Sequence, residues 1–128
     1  EGVEFIQTAI DAPDLASQIL ERLGGRATVV LSDCSPKLTG NKTVDRERPV
    51  WQAQTSLDLA LQLLDRHGHF IAKLFESNQA QKVEAQARTL FQSVRTFKPT
   101  ASFKSSPEMY LVAKGFQGLA PRTARCVP

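Results

Sequence analysis

Lys73 stands in the stretch HFIAKLFES, where most of its neighbours are apolar. An ammonium in such a strand is unfavourable unless a counter-charge meets it. Two carboxylates are placed to do so. Asp33 closes the apolar run VVLSD, and Glu108 opens the run EMYLV. In open α/β sheets, ligands bind beyond the carboxyl ends of the strands, which is where Asp33 falls. A right-handed crossover sets the Asp33 strand beside the Lys73 strand. If the Glu108 strand runs antiparallel on the other side of Lys73, Glu108 enters at the same end of the sheet. The three groups then converge. A lysine between two acids has a tuned pKa and can orient a hydroxyl. The same residues also fit a second reading, a buried ion pair that only fixes register.

The elements that must hold these groups follow from the pattern around them. Val3 to Ile6 reads as a short strand. Pro13-Asp14 starts a helix that Asp11 or Asp14 can cap. Its apolar stripe is Leu15, Ile19, Leu20 and Leu23, and Gly24-Gly25 stops it. Ala27 to Leu31 is a continuous run rich in β-branched residues, as in a parallel strand buried on both faces. Val50, Trp51, Gln54, Leu57, Ala60, Leu61 and Leu64 trace a long helical face, with Trp51 read as core. His67-Gly68-His69 turns the chain, the two histidines reading as surface residues rather than metal ligands. Phe70 to Phe75 is the next buried strand. Val83, Ala87, Leu90 and Phe91 mark a third helix. Ser93 to Phe97 is a strand, 98–107 a loop, and Met109 to Ala113 a last strand. The class is α/β, a mostly parallel sheet with an antiparallel last strand.

The bulk properties allow many functions. The 128 residues suffice for one domain with a core. No apolar run reaches the roughly 20 residues needed to span a bilayer, so no membrane partner is expected. Net charge is +3, which permits a nucleic-acid partner without requiring one. Cys34 and Cys126 are far apart and match no metal-ligand spacing, which suits a reducing compartment. The start Glu1-Gly2-Val3-Glu4 has no signal-peptide character. The chain reads as a mature or trimmed piece of something longer.

From Val3 to Gly115 the sequence resembles the FtsJ-type ribosomal RNA 2′-O-ribose methyltransferases, most closely their mitochondrial branch. The stretches LSDCSPKLTGNKTVD, GHFIAKLFES and FQSVRTFKPTASFKSSPEMYLVA carry the resemblance. The Ser-Asp-x-x-Pro segment, the strand lysine, the Lys-Pro before a basic loop and the Ser-x-Glu-x-Tyr-like end occur in the family's order and spacing. The resemblance implies a Rossmann-like class I fold dependent on S-adenosyl-L-methionine (SAM). It also implies methylation of a ribose 2′-hydroxyl in large-subunit rRNA by a Lys-Asp-Lys-Glu tetrad. Asp33, Lys73 and Glu108 match its last three members. Lys73 would deprotonate or orient the hydroxyl, with Asp33 and Glu108 holding it. Asp33 and Pro36 would lie near SAM. The loop from Pro36 to Arg46 would wall the site and face RNA, with Lys37, Lys42, Lys98 and Lys104 as RNA contacts. Arg95 and Lys114, interleaved with Phe97 and Phe103, extend that basic edge. Mitochondrial location is implied too, with the cytoplasm as the alternative.

One region departs from the family. Its first tetrad lysine and its glycine-rich cofactor loop have no counterpart here, and the first two strands are lacking. In the family's strand order, 3-2-1-4-5-7-6, those strands lie between the Val3 and Val29 strands. Val3 to Ile6 is therefore expected to be detached from the Val29 strand, across a gap wide enough for two strands at about 4.8 Å each. Another polypeptide, or packing against RNA or protein, would fill it. Thr8-Ala9 stands where the family usually has Gly-Asp, and Asp11 is the candidate replacement acid for the adenine. Residues 1–116 then read as the carboxyl-terminal portion of the methyltransferase domain, and 117–128 as a basic, flexible tail. Two function classes follow. One is a methyltransferase completed by an upstream segment or a separate chain. The other is a catalytically degenerate domain, bound to the ribosome among ribosomal or assembly-factor proteins.

Overall fold

The structure, a computed structural model, describes residues 2–33, 42–75, 78–98 and 108–118, and only the backbone of 42–52, 75 and 78–79. The elements are α1 (Leu15–Leu23), β1 (Ala27–Ser32), α2 (Lys42–Leu63), β2 (Leu64–Phe75), α3 (Asn78–Leu90), β3 (Phe91–Phe97) and β4 (Glu108–Phe116). The strands form one sheet in the order β1-β2-β4-β3. β1 and β2 are parallel, while β4 is antiparallel to both β2 and β3. Three strands therefore point one way and the last points back. That is the expected mixed sheet, with β3 as an outer edge.

The core lies on one face of this sheet. Along β2, Phe70, Ala72 and Leu74 are buried and alternate with His69, Ile71 and Lys73, as the period of two requires. Leu57 and Ala60 of α2 and Val83 and Ala87 of α3 pack on that face with Phe91, Val94, Leu111, Ala113 and Phe116. The small alanines let both helices sit close. Phe91, read from its spacing as the end of the third helix, instead opens β3. Its ring packs on that of Phe116 at 5.4 Å, which holds it in the sheet.

The β1–β2 pairing is irregular at its start. Ala27 faces Leu64 but Val29 faces His69, so residues 65–68 bulge out. Gly68 fits there because a Cβ would come within 2.9 Å of the Asp65 carbonyl oxygen. His67 takes a positive φ of 73° in the bulge and is exposed, as expected. His69 is not a surface residue. It is half-buried, and its Nδ1 accepts a hydrogen bond from the Gly115 backbone N–H at 3.2 Å, tying β2 to β4.

Two expectations fail at the other edge, for one physical reason. Val3 to Ile6 forms no strand, and Val3 and Phe5 are exposed. β1 is not buried on both faces: Leu31 is 71% exposed and Val29 is exposed too. A strand needs neighbours. β1 has β2 on one side and no described strand on the other, so a sequence fit for an interior position stands at an edge. α1 shares this situation. It stops at Gly24 in the left-handed conformation, as expected, and Asp14 is its N-cap, but of its apolar stripe only Leu15 is buried.

Candidate active site

The register of the sheet places the chemistry. Ser32 pairs with Ala72, and the Ser32 hydroxyl meets that of Ser56 at 2.8 Å, on the helix side. The next residue, Asp33, therefore points to the opposite face, the face of Lys73. Across the sheet Lys73 pairs with Tyr110, and Glu108 pairs with the backbone of Phe75 two residues on. Cross-strand partners share a face. Glu108 therefore projects from the same side, at the carboxyl end of β2.

All three groups meet there. The Lys73 Nζ lies 2.8 Å from Asp33 Oδ1 and 3.5 Å from Glu108 Oε2. The Lys73 side chain is 13% exposed, whereas that of Asp33 is 75% exposed. The ammonium is sunk between neighbouring strands, and the carboxylate that holds it opens outward. The hydrogen bond that Lys73 donates to Asp33 raises the lysine pKa above its ordinary value. Partial desolvation opposes this, and the charges of Asp33 and Glu108 add to it. Lys73 is therefore a cation at neutral pH. It can donate to an oxygen brought into this cluster and stabilise negative charge on it. It is poorly suited to take a proton as a neutral amine.

The remaining predicted residues fall into three groups. Lys98 is exposed, one residue beyond β3 and at the same end of the sheet as the cluster. Asp11 is exposed in the turn before α1 and lines a separate hollow of about 240 Å³ with Thr55, Asp58 and Gln62. Lys42 begins α2 by its backbone, and its side chain, like that of Trp51, lies outside the described residues. So do Cys34, Pro36, Lys37, Phe103, Lys104, Cys126 and the tail beyond 118. Among the described residues no cluster of three or more His, Cys, Asp or Glu is placed to ligate a metal.

Two contributors carried no assigned role in the sequence. Ser56 is buried in the otherwise apolar inner face of α2 and fixes the end of β1 just before Asp33. A lone serine between Ala53 and Leu57 was its signal. Tyr110 stands beside Lys73, with its ring 6.0 Å from that of Phe97.

Residues 1–116 match the family model of the FtsJ-like methyltransferases. The chain belongs to the FtsJ-like methyltransferase family. Among curated FtsJ relatives, it is 38% identical to ribosomal RNA large subunit methyltransferase E of Gluconobacter oxydans, over 91% of this chain and 43% of that protein. It is 39% identical to the protein of the same name from Methanothermobacter thermautotrophicus, over 92% of this chain and 56% of that one. The chain thus spans about half the length of the curated relatives it matches. A crystal structure from Plasmodium falciparum, described as a ribosomal RNA methyltransferase, superposes with a TM-score of 0.76 and 26% identity. The match covers 90% of this chain and 64% of that one. The α/β fold is accordingly that of a Rossmann-like methyltransferase.

A methyltransferase needs a methyl donor. Among the described residues, Asp33 could meet one: its exposed carboxylate stands at the carboxyl end of β1, beside the strand edge that has no described neighbour. The sequence has no Gly-x-Gly turn after a strand. The residues present therefore fit one wall of a cofactor site.

Proposed function

We propose that this chain carries the catalytic end of an rRNA 2′-O-ribose methyltransferase that uses SAM and acts on large-subunit rRNA. The observation that carries this reading is the lysine held at 2.8 Å and 3.5 Å by two acids from different strands, within a methyltransferase family. The names of the relatives support the rRNA substrate. Bound SAM would supply an electrophilic methyl group on a sulfonium. Lys73 donates a hydrogen bond to the ribose 2′-oxygen, aims its lone pair and stabilises the negative charge that grows as the hydroxyl proton is lost to water. Asp33 hydrogen-bonds the ammonium and faces the donor. Glu108, at the longer distance, steers it from the other side. Neither acid reacts.

On this reading, 1–116 is the carboxyl-terminal portion of the methyltransferase domain and 117–128 a basic tail. The free edge of β1 takes the family's remaining strands, from the same or another polypeptide. Pro36 lines the donor site beside Asp33, Asp11 meets the donor's adenine from its own hollow against α2, and Lys37, Lys42, Lys98 and Lys104 meet RNA. The likeness of the motif stretches to the mitochondrial branch supports a mitochondrial location, which imaging of the tagged protein tests. The alternative, a catalytically silent domain held by ribosomal or assembly-factor proteins, is favoured by one feature, Thr8-Ala9 in place of Gly-Asp. A methyl-transfer assay on large-subunit rRNA separates the two: transfer that needs Lys73 supports the enzyme, and its absence supports the silent domain.

A further inference from the structure

The helix-free face of the sheet is organised in rows. One row runs Lys73, Tyr110, Phe97. The next runs Leu31, Ile71, Val112, Arg95. A third runs Val29, His69, Lys114, Ser93. The half nearest β1 is apolar, as expected of a surface that polypeptide covers. The half on β3 and β4 is different. Ser93, Arg95, Phe97, Val112 and Lys114 line a hollow of about 410 Å³, within the size range of small-ligand pockets. Two of its five lining residues are cations and none is an acid. Among the described residues, neither Arg95 nor Lys114 has an ion-pair partner, and both are exposed. Phe97 is 52% exposed, and the Tyr110 ring braces it at 6.0 Å with a tilt of 32°.

Surface cations are ordinary, and so is an isolated exposed phenylalanine. Their combination in one concave patch is not. A braced ring offers a π-face to a base, and the two cations offer charge to the phosphates on either side. Sheets that bind single strands combine these same two components. An apolar protein partner would leave Arg95 and Lys114 desolvated without counter-charges. A polyanion with flat apolar groups suits both components. Phe97 stands in the same row as Lys73, two strand spacings or about 10 Å away, on the face where Asp33 and Glu108 meet the lysine.

We propose that the outer face of β3 and β4 is a binding surface for single-stranded RNA, with Phe97 stacking a base and Arg95 and Lys114 holding phosphates. This deepens the RNA-methyltransferase reading and rests on it for its biological substrate. The surface would hold a nucleotide flanking the one presented to Lys73.

The test uses the full-length native protein and a labelled oligouridine of about 12 nucleotides. Its affinity is measured between about 50 and 200 mM salt. The variants are Arg95→Gln, Lys114→Gln, their double, Phe97→Leu and Phe97→Trp. All sit on exposed positions, and Phe97→Leu keeps apolar volume in case a smaller residue disturbs the edge strand. We expect the double variant to flatten the dependence of log affinity on log salt by about 1.4, from roughly 0.7 per phosphate lost. Phe97→Leu should weaken binding about tenfold, and Phe97→Trp should not. Wild-type affinity and salt dependence in all variants, or no oligouridine binding by the native protein, would overturn the proposal. Unchanged RNA binding with lost ribosome association would overturn it in favour of a protein partner. The two readings fail separately. A protein that shows these effects but methylates no ribose keeps the RNA surface and loses the methyltransferase. One that methylates with all variants equal to wild type does the reverse.

Discussion

Lys73 and Asp33 lie 2.8 Å apart at the ends of adjacent parallel strands, although 39 residues and a long helix separate them in sequence. That contact depends on the crossover through α2, which returns the chain parallel beside β1 so that Ser32 meets Ala72. It joins a shielded cation to an open carboxylate. An ion pair that only fixed register would have no need to keep one partner so exposed.

Replacing the lysine should separate its two roles. Lys73→Met keeps the stem and removes the charge, and the two carboxylates it leaves behind are open to solvent, so no buried charge is left unpaired. We expect stability within about 1 kcal/mol of wild type, unchanged RNA affinity, and methyl transfer down by about 10² to 10⁴. Thermal melts, RNA titration and single-turnover transfer check these outcomes together. Lys73→Ala should lose transfer equally.

The two acids should differ in the order of their distances. Asp33→Asn removes the charge at 2.8 Å and Glu108→Gln the one at 3.5 Å. The first should cost transfer about a hundredfold and the second about tenfold, within the usual range for groups that assist a proton or orient a base. Turnover numbers measured with saturating donor and RNA decide the ranking.

The raised lysine pKa makes a signed prediction. A group whose pKa is higher folded than unfolded adds stability that is complete below the unfolded value, here 10.5, and is lost as pH rises through the folded one. Any stability difference between wild type and Lys73→Met should therefore be flat from about pH 7 to 10 and shift against wild type only above that. Transfer should likewise be flat from about pH 7 to 9, because the ammonium is the working form. A neutral-amine base would instead give a rate that climbs about tenfold per pH unit. Denaturant melts and rates across pH read both.

Much of this was legible in the sequence, because buried elements announce themselves. Phe70 to Phe75, Val83 and Ala87 lie where their spacing put them, and the convergence of Asp33, Lys73 and Glu108 followed from crossover handedness and an antiparallel last strand. The errors lie where long-range neighbours decide burial. Ala27 to Leu31 has the composition of an interior strand, but composition cannot say whether the neighbours are present. Val3 to Ile6 has strand residues and no strand to pair with. His69 was misread because the turn tripeptide His67-Gly68-His69 says nothing of a backbone N–H arriving from Gly115, 46 residues on. The site's positioning serine, Ser56, was hidden in an apolar stripe.

The bare side of β1 yields a prediction of its own. In a protein that carries the whole methyltransferase fold, Leu31→Asp should destabilise by about 2 kcal/mol or more, since that side chain would be buried. In residues 1–128 alone, where Leu31 is open to solvent, the change should stay within about 0.5 kcal/mol. Denaturant midpoints of the two proteins compare them. Residues 1–128 alone should also bind SAM weakly or not at all by calorimetry, because one wall of the donor site stands without the rest. Micromolar binding would show that the site is more complete than its residues suggest.

The most direct measurement of the central claim is a map of 2′-O-methylated riboses in large-subunit rRNA from cells of the source organism. Cells carrying the wild-type protein are compared with cells carrying Lys73→Met at matched protein levels. One ribose methylated in the wild type should be unmethylated in the variant, with every other modified position unchanged. Identical maps, with the variant protein folded and present, would contradict it.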